Sequence, residues 1–266
     1  MTCSSTILLS ATTLLAALAA GCEPKVVVGE WTCPSPDAGT DYGEIKKNVG
    51  EPVKLGWSTS FERDFCDYAR VHSYCYADPG ASFSIVSTQA HSGKYSAAFT
   101  VNADTTSARQ ARCVRQGDFP EAAYYSAWYL IPVAATNTGN WNLFHFMGGD
   151  EDHLDGLFDV SLHSADGELS AYFYDTVSDP AVFRGLGETP SIPIGTWFEL
   201  GVYWRRAADE SGELSLYQNG ERILHYTGLV TDKTSWGQWY VGNLANALAP
   251  PDSTLYVDDV AIREAP

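Results

Sequence analysis

Beyond about residue 55, no window of a dozen residues carries an apolar stripe at helical spacing bounded by caps. The same stretch is filled with short runs in which apolar and polar side chains alternate. They are 82–86, 95–101, 124–131, 141–147, 157–163, 168–174, 197–205, 213–218, 222–226, 239–242 and 254–263. Runs of period two, rich in Val, Ile, Tyr, Phe and Trp and bounded by turn residues, are the signature of half-buried strands. Between LSLYQ and ERILHY stands Asn219-Gly220, a dipeptide whose tolerance of positive φ suits a two-residue hairpin. The pattern predicts an all-β chain, an antiparallel β-sandwich over residues 55–266.

Alternation also assigns faces. In WNLFHFM, Phe144 and Phe146 share one side, while Trp141, Leu143, His145 and Met147 share the other. In LFDVSLH, Phe158, Val160 and Leu162 are expected in the core, with Asp159, Ser161 and His163 turned away. In ELSAYFY, Ala171 and Phe173 are expected inside, with Tyr172 and Tyr174 outside. If the three runs are neighbours, one open face carries Trp141, His145, Asp159, His163, Tyr172 and Tyr174. Aromatic rings beside hydrogen-bonding groups suit a sugar, whose C–H face stacks on a ring and whose hydroxyls take the polar groups.

The start of the chain reads differently. Residues 1–21 hold no charged side chain, and ILLSATTLLAALAA is an apolar run of secretory-signal length, short for a membrane span. It ends in Leu-Ala-Ala-Gly-Cys at 18–22, which resembles the lipobox of bacterial lipoproteins. Two departures are the absence of Lys or Arg before the run and a Leu one place further from the Cys than usual. The resemblance implies cleavage before Cys22, acylation of that Cys and a lipid-anchored protein of the cell envelope. Residues 22–54, with PSPDAGTDYG at their centre, are expected to form a tether. Export leaves Cys33, Cys66, Cys75 and Cys113, an even number in an oxidising compartment. Of the three possible pairings, Cys66–Cys75 with Cys33–Cys113 is the expected one. The chain has no Cys-x-x-Cys pair of the kind that holds zinc. A formal charge of −17 speaks against nucleic acid, whose affinity comes from neutralised phosphates. The chain is expected to be a monomer.

SFERDF, AHSGKYSAAFTV, AYYSAWYLIP, NWNLFHF, GTWFELGVYWRR, LSLYQNGERI and LYVDDVAI, in this order over 57–263, together resemble the concanavalin A-like jelly rolls. Heparin-lyase-like polysaccharide lyases and laminin-G-like lectin domains belong to that group. The opening Phe-Glu, SGKYS and the closing Val-Asp-Asp-Val also resemble carbohydrate-binding modules of xylanases and glucanases. Both resemblances imply a carbohydrate partner. In the lyase-like families the strand matching NWNLFHF often continues into Gln-x-His or Trp-His. Here His145 is followed by Phe146, Met147 and Gly148, so that pair is not intact.

A lyase needs a base for the proton beside a uronate carboxylate, a donor that neutralises the carboxylate, and an acid for the leaving oxygen. His145 or His163 supplies the first, Arg112 or Arg115 the second, Tyr172 or Tyr174 the third. A glycoside hydrolase needs two facing carboxylates, and no Glu-x-Asp-x-x-Glu-like strand is present. No Gly-x-Ser-x-Gly elbow is present either. The acidic run GGDEDHLDG at 148–156 reads as solvated surface.

Glu62 in the first strand-like run, and Asp258 and Asp259 in the last, are expected at one sheet edge. Asp259 shares its side with Leu255, Val257 and Ala261 and is therefore expected to point inward. A carboxylate facing a core is costly unless it is paired or bound to a cation. The related binding modules imply a structural calcium on these three acids.

The first expectation is thus a lipid-anchored carbohydrate-binding protein. A uronate-specific polysaccharide lyase is the alternative, and a non-catalytic envelope interaction protein the second alternative.

Overall fold

The computed structural model describes residues 27–28, 33, 53–69, 71, 73–104, 107–149, 153–232 and 234–265. Two antiparallel sheets face each other. The first runs β1 (Val27–Val28), β4 (Tyr74–Ala77), β7 (Arg109–Asp118), β17 (Trp236–Ala245), β10 (Trp141–Gly149), β11 (Leu154–Ala165), β12 (Glu168–Asp175), β13 (Val182–Arg184). The second runs β16 (Glu221–Leu229), β15 (Gly212–Gln218), β14 (Phe198–Arg205), β8 (Ala122–Leu130), β19 (Asp252–Arg263), β6 (Ser96–Asn102), β5 (Ser82–Val86), with β2 (Trp57–Thr59) also on β19. A small ribbon joins β9 (Thr136–Asn137) to β18 (Leu248–Ala249). After β2 come β3 (Glu62–Phe65) and a single helical turn, α1 (Cys66–Ala69). The expected all-β sandwich is what the chain forms.

The alternation explains the core. Phe146 and Phe158 of the first sheet stack at 4.5 Å, and Trp204 of the second closes on both at 5.3 Å. Tyr125 and Trp239 complete the cluster, and all five rings are buried. Each such ring contributes about 1.5–3 kcal/mol by leaving water. The hairpin at Asn219-Gly220 joins β15 to β16, with φ of 53° and 78° as the turn requires.

Two expectations about the chain are corrected, the disulfide pairing and the place of Trp141. The bridges are Cys33–Cys66 and Cys75–Cys113. Cys75 and Cys113 are register partners on β4 and β7, so the sheet itself sets their pairing. Part of the expected tether is tied down: Val27–Val28 adds to the edge of β4, and Cys33 is bonded to α1. On β10 the register shifts between Asn142 and Phe144, which changes the parity. Trp141 is therefore fully buried rather than on the open face, and its indole N–H donates to the buried Asn243 amide oxygen at 3.2 Å. Cys22 and residues 1–21 lie outside the described residues.

Candidate active site

The outward face of the first sheet carries a continuous row across its strands. Register aligns Tyr74 (β4), Val114 (β7), Tyr240 (β17), His145 (β10), Asp159 (β11), Tyr174 (β12) and Phe183 (β13). Neighbouring strands lie about 4.8 Å apart, so register partners on one face are side-chain neighbours.

At the centre of the row, His145 Nδ1 is hydrogen-bonded to Asp159 Oδ1, both side chains being about one-fifth exposed. A carboxylate accepts, so Nδ1 carries the proton and Nε2 is left as the acceptor. The ring of Tyr240 lies beside the imidazole, with centroids 5.3 Å apart. Its hydroxyl donates to Gln238 Oε1, and Gln238 Nε2 donates to Gln116 Oε1 at 3.0 Å. Burial raises the Tyr240 phenol well above its usual range, so it stays protonated at neutral pH.

On the far side of Tyr240 lies Arg112, with Cζ 4.7 Å from the ring centroid. It pairs in register with Gly242. A Cβ at Gly242 would sit 2.8 Å from Arg112 Cα and 3.1 Å from its Cγ, so glycine lets the arginine lie there. Nη2 donates to Gln110 Oε1, which also accepts from the Tyr76 hydroxyl at 2.9 Å. Arg112 is only 5% exposed, yet its Nε and Nη1 have no hydrogen-bond partner. Buried guanidinium donors left unpaired are costly, so Arg112 carries a desolvated charge on this face. Among the described residues of this face, Asn142 Oδ1 is also buried without a partner.

The other candidates fall around this centre. Tyr172 and Tyr174 do point outward, and both rings meet Phe183, at 5.9 Å and 5.0 Å. Burial raises the Tyr172 phenol, against a hydrogen bond with Ser161. His163 shares the face but pairs with Ser170, four residues along β11 from Asp159 and thus about 13 Å away. Arg115 is turned to the other side, where its Nη1 donates to the Val71 and Gln116 carbonyls. Tyr240, Gln238, Gln116 and Gln110 were not singled out from sequence. Their signal was present in the parity of RQARCVRQGD and WGQWYVGN.

A cavity of about 440 Å³ opens at the end of β10 and β11, lined by Gly148, Gly149, Asp155, Gly156, Leu157, Thr176, Val177, Asp232 and Thr234. It is not centred on His145 but reaches it at Gly156, whose Cβ, if present, would lie 3.9 Å from the imidazole.

The three acids expected to hold calcium converge on the loop 91–95. Glu62 Oε1 accepts from the backbone N–H groups of Lys94 and Tyr95 at 2.7 and 2.8 Å. Asp258 Oδ2 accepts from those of His91 and Ser92 at 2.9 and 3.1 Å, and its Oδ1 from Asp259 N–H at 2.8 Å. Asp259 holds His91 Nδ1 at 2.7 Å and Ser92 Oγ at 2.8 Å. Asp258 pairs with Trp128 on the outer side of the sheet and is fully buried there under the 91–95 loop, and Asp259 falls in the register shift between Asp258 and Ala261, so neither acid points into the sandwich. These oxygens face N–H and O–H donors, and among the described residues no three His, Cys, Asp or Glu side chains are grouped to hold a metal ion. As arranged, the three acids accept hydrogen bonds from the loop 91–95.

No protein-family model matches the chain, and no curated protein does. Solved structures do. The endo-β-1,4-glucuronan lyase of the fungus Trichoderma reesei superposes with a TM-score of 0.55 at 15% identity, over 70% of this chain and 87% of that one. An alginate lyase of Aplysia kurodai gives 0.58 at 11% identity, over 80% of this chain and 100% of that one. The alginate lyase Aly36B gives 0.52 at 12% identity, over 79% of this chain and 98% of that one. At these identities the likeness is one of fold: the chain has the β-sandwich on which these polysaccharide lyases are built.

Proposed function

We propose that the protein is a polysaccharide lyase that cleaves a uronate-containing glycan by β-elimination. The observation that carries this reading is that Arg112, Tyr240, His145 and Asp159 adjoin one another in turn on one sheet face. Each member fits one requirement of the reaction. Arg112, the guanidinium on this face, is the charge that neutralises the uronate carboxylate. His145 Nε2 removes the proton from the carbon beside that carboxylate, while Asp159 fixes the tautomer and stabilises the imidazolium that forms. The C–O bond on the next ring carbon then breaks, a C=C bond forms, and the Tyr240 phenol gives its proton to the leaving oxygen.

This reading sets chemistry ahead of the simple glycan binding that sequence favoured, because Tyr240 completes the set in the place where Tyr172 was expected. The lyases among the structural neighbours support it. Export and acylation at Cys22 belong to the same proposal, since a polymeric glycan is met outside the cell. The test is incubation with alginate, glucuronan and mixed uronate polymers, following the ultraviolet absorbance of the unsaturated uronate. His145→Ala and Tyr240→Phe should each lower the rate at least ~100-fold. Absence of that absorbance with every polymer, while glycan is still bound, would return the protein to the binding class.

A further inference from the structure

We infer that the glycan recognised by this face carries its uronates singly, each beside an uncharged sugar, and that the uncharged neighbour seats on the ring of Phe183, which Tyr172 and Tyr174 hold in place. The substrate class named here rests on the lyase reading; the seating of the neutral sugar does not.

The first argument is a census of cations. The described strands of the first sheet contain four arginines and no lysine: Arg109, Arg112, Arg115 and Arg184. Arg109 and Arg115 pair in register with Ala245 and Trp239, both core residues, so they share the inward parity. Arg109 donates to the Pro79 carbonyl at 2.8 Å. Arg184 pairs with the buried Phe173 and donates to Asp175 at 2.8 Å. Arg112 alone faces outward. One guanidinium neutralises one carboxylate. Next to it the face adds negative groups: Asp159 under His145, and Asp78, whose Oδ2 accepts from Gln110 N–H at 3.2 Å. With a chain charge of −17, a second and third carboxylate of a homopolymeric polyuronate would meet repulsion instead of a partner.

The second argument is what lies in place of further cations. Two and three strands from His145, about 10–14 Å away, the row continues into Tyr174 and Phe183. Phe183 is stacked on Tyr174 at 5.0 Å and an interplanar angle of 30°, yet remains 56% exposed. An exposed ring held on two others is a fixed, uncharged platform. Beside it stand the hydroxyls of the two tyrosines, which share the outward parity. Ring faces with neutral hydroxyl partners complement the C–H face of an uncharged sugar. They leave a carboxylate without a donor of full charge.

The experiment uses the full chain with His145→Ala to keep glycans uncut, or Tyr240→Phe if that variant melts early. Calorimetry compares size-matched fragments of alginate and glucuronan with fragments of hyaluronan and gellan, in which uronates are separated by uncharged sugars. The expected result is at least ~10-fold tighter binding of the mixed fragments. Adding Phe183→Ala should lose about 10-fold on mixed fragments and little on the homopolymers, and Phe183→Tyr should restore it. Equal or tighter binding of the homopolymers, binding of neither class, or an unchanged affinity in Phe183→Ala would overturn the inference. The lyase reading fails separately, if the wild-type chain releases no unsaturated uronate from any fragment that it binds.

Discussion

His145 and Asp159 occupy one register position of the β10–β11 ladder, and a hydrogen bond joins Nδ1 of the imidazole to Oδ1 of the carboxylate. Two rigid strands therefore hold the base in one tautomer. Asp159→Asn keeps the shape but can offer its N–H₂ to the ring and favour the other tautomer. The expected outcome is a fall in kcat of ~100-fold or more with KM nearly unchanged, because the loss concerns the reacting proton rather than glycan contacts. Steady-state kinetics on a cleaved polymer checks it; a rise in KM alone would make Asp159 a binding residue.

Arg112 separates function from stability. Its buried Nε and Nη1 lack partners, so the folded chain carries an unpaid desolvation of charge. Replacing it by Met removes that penalty while filling similar space against Tyr240. Arg112→Met should melt at or above the wild-type temperature and lose ~100-fold or more of kcat/KM. A large drop in melting temperature would show instead that the guanidinium is a structural member of the face.

Much of this face was legible from sequence, for a definite reason. Asp159, Tyr172 and Tyr174 lie on β11 and β12, whose pairing runs without a register shift, so parity read along the chain survives in the sheet. Trp141 and Asp259 were misplaced because each lies beside a bulge, at Asn142–Phe144 and at Asp258–Ala261. One extra residue reverses every assignment beyond it, and nothing in local composition marks its position. Gln238 and Tyr240 share one side of WGQWYVGN, but a Trp lies on each side of it, so which side faces outward shows only once β7 and β10 are known as its neighbours. The disulfides followed the same rule. Spacing along the chain favoured the short Cys66–Cys75 loop, whereas sheet register sets Cys75 against Cys113.

That register gives a covalent prediction. Cys75–Cys113 closes a separation of 38 residues and ties β4 to β7, next to Arg112. By loop entropy its removal should cost about 3–4 kcal/mol. The Cys75→Ala, Cys113→Ala double variant should show that loss in denaturant unfolding, and peptide mapping without reduction should return the 75–113 and 33–66 pairs. Recovery of a 66–75 pair would contradict the register.

Phe146 and Phe183 make a matched test of face assignment. Phe146 is enclosed by Phe158, Trp204, Trp239 and Tyr125, whereas Phe183 is 56% exposed at the sheet edge. Phe146→Ala should cost about 3–5 kcal/mol. Phe183→Ala should cost less than about 1 kcal/mol, as surface changes away from packed groups do. Comparable losses in the two variants would mean that Phe183 is covered and unable to serve a ligand.

Asp258 yields a prediction in pH. Burial pushes its carboxyl up to about 6, outweighing the three backbone N–H groups that favour the anion. Unfolded, the group titrates near ~3.9. The folded chain therefore holds this proton more tightly, and the stability it contributes is greatest below about pH 4. It falls as pH rises toward about 6 and is constant beyond. Asp258→Asn cannot titrate. The melting temperature of the wild type relative to this variant should decline across that window and then level off. Curves that stay parallel from about pH 4 to 7 would show that the carboxylate is stabilised by its donors as fully as it is in water. Because loop donors already occupy the Glu62, Asp258 and Asp259 oxygens, a chelator should leave the wild-type curve in place. A calcium-dependent shift that vanishes in Asp259→Ala would show instead that the ion displaces the 91–95 loop from these acids.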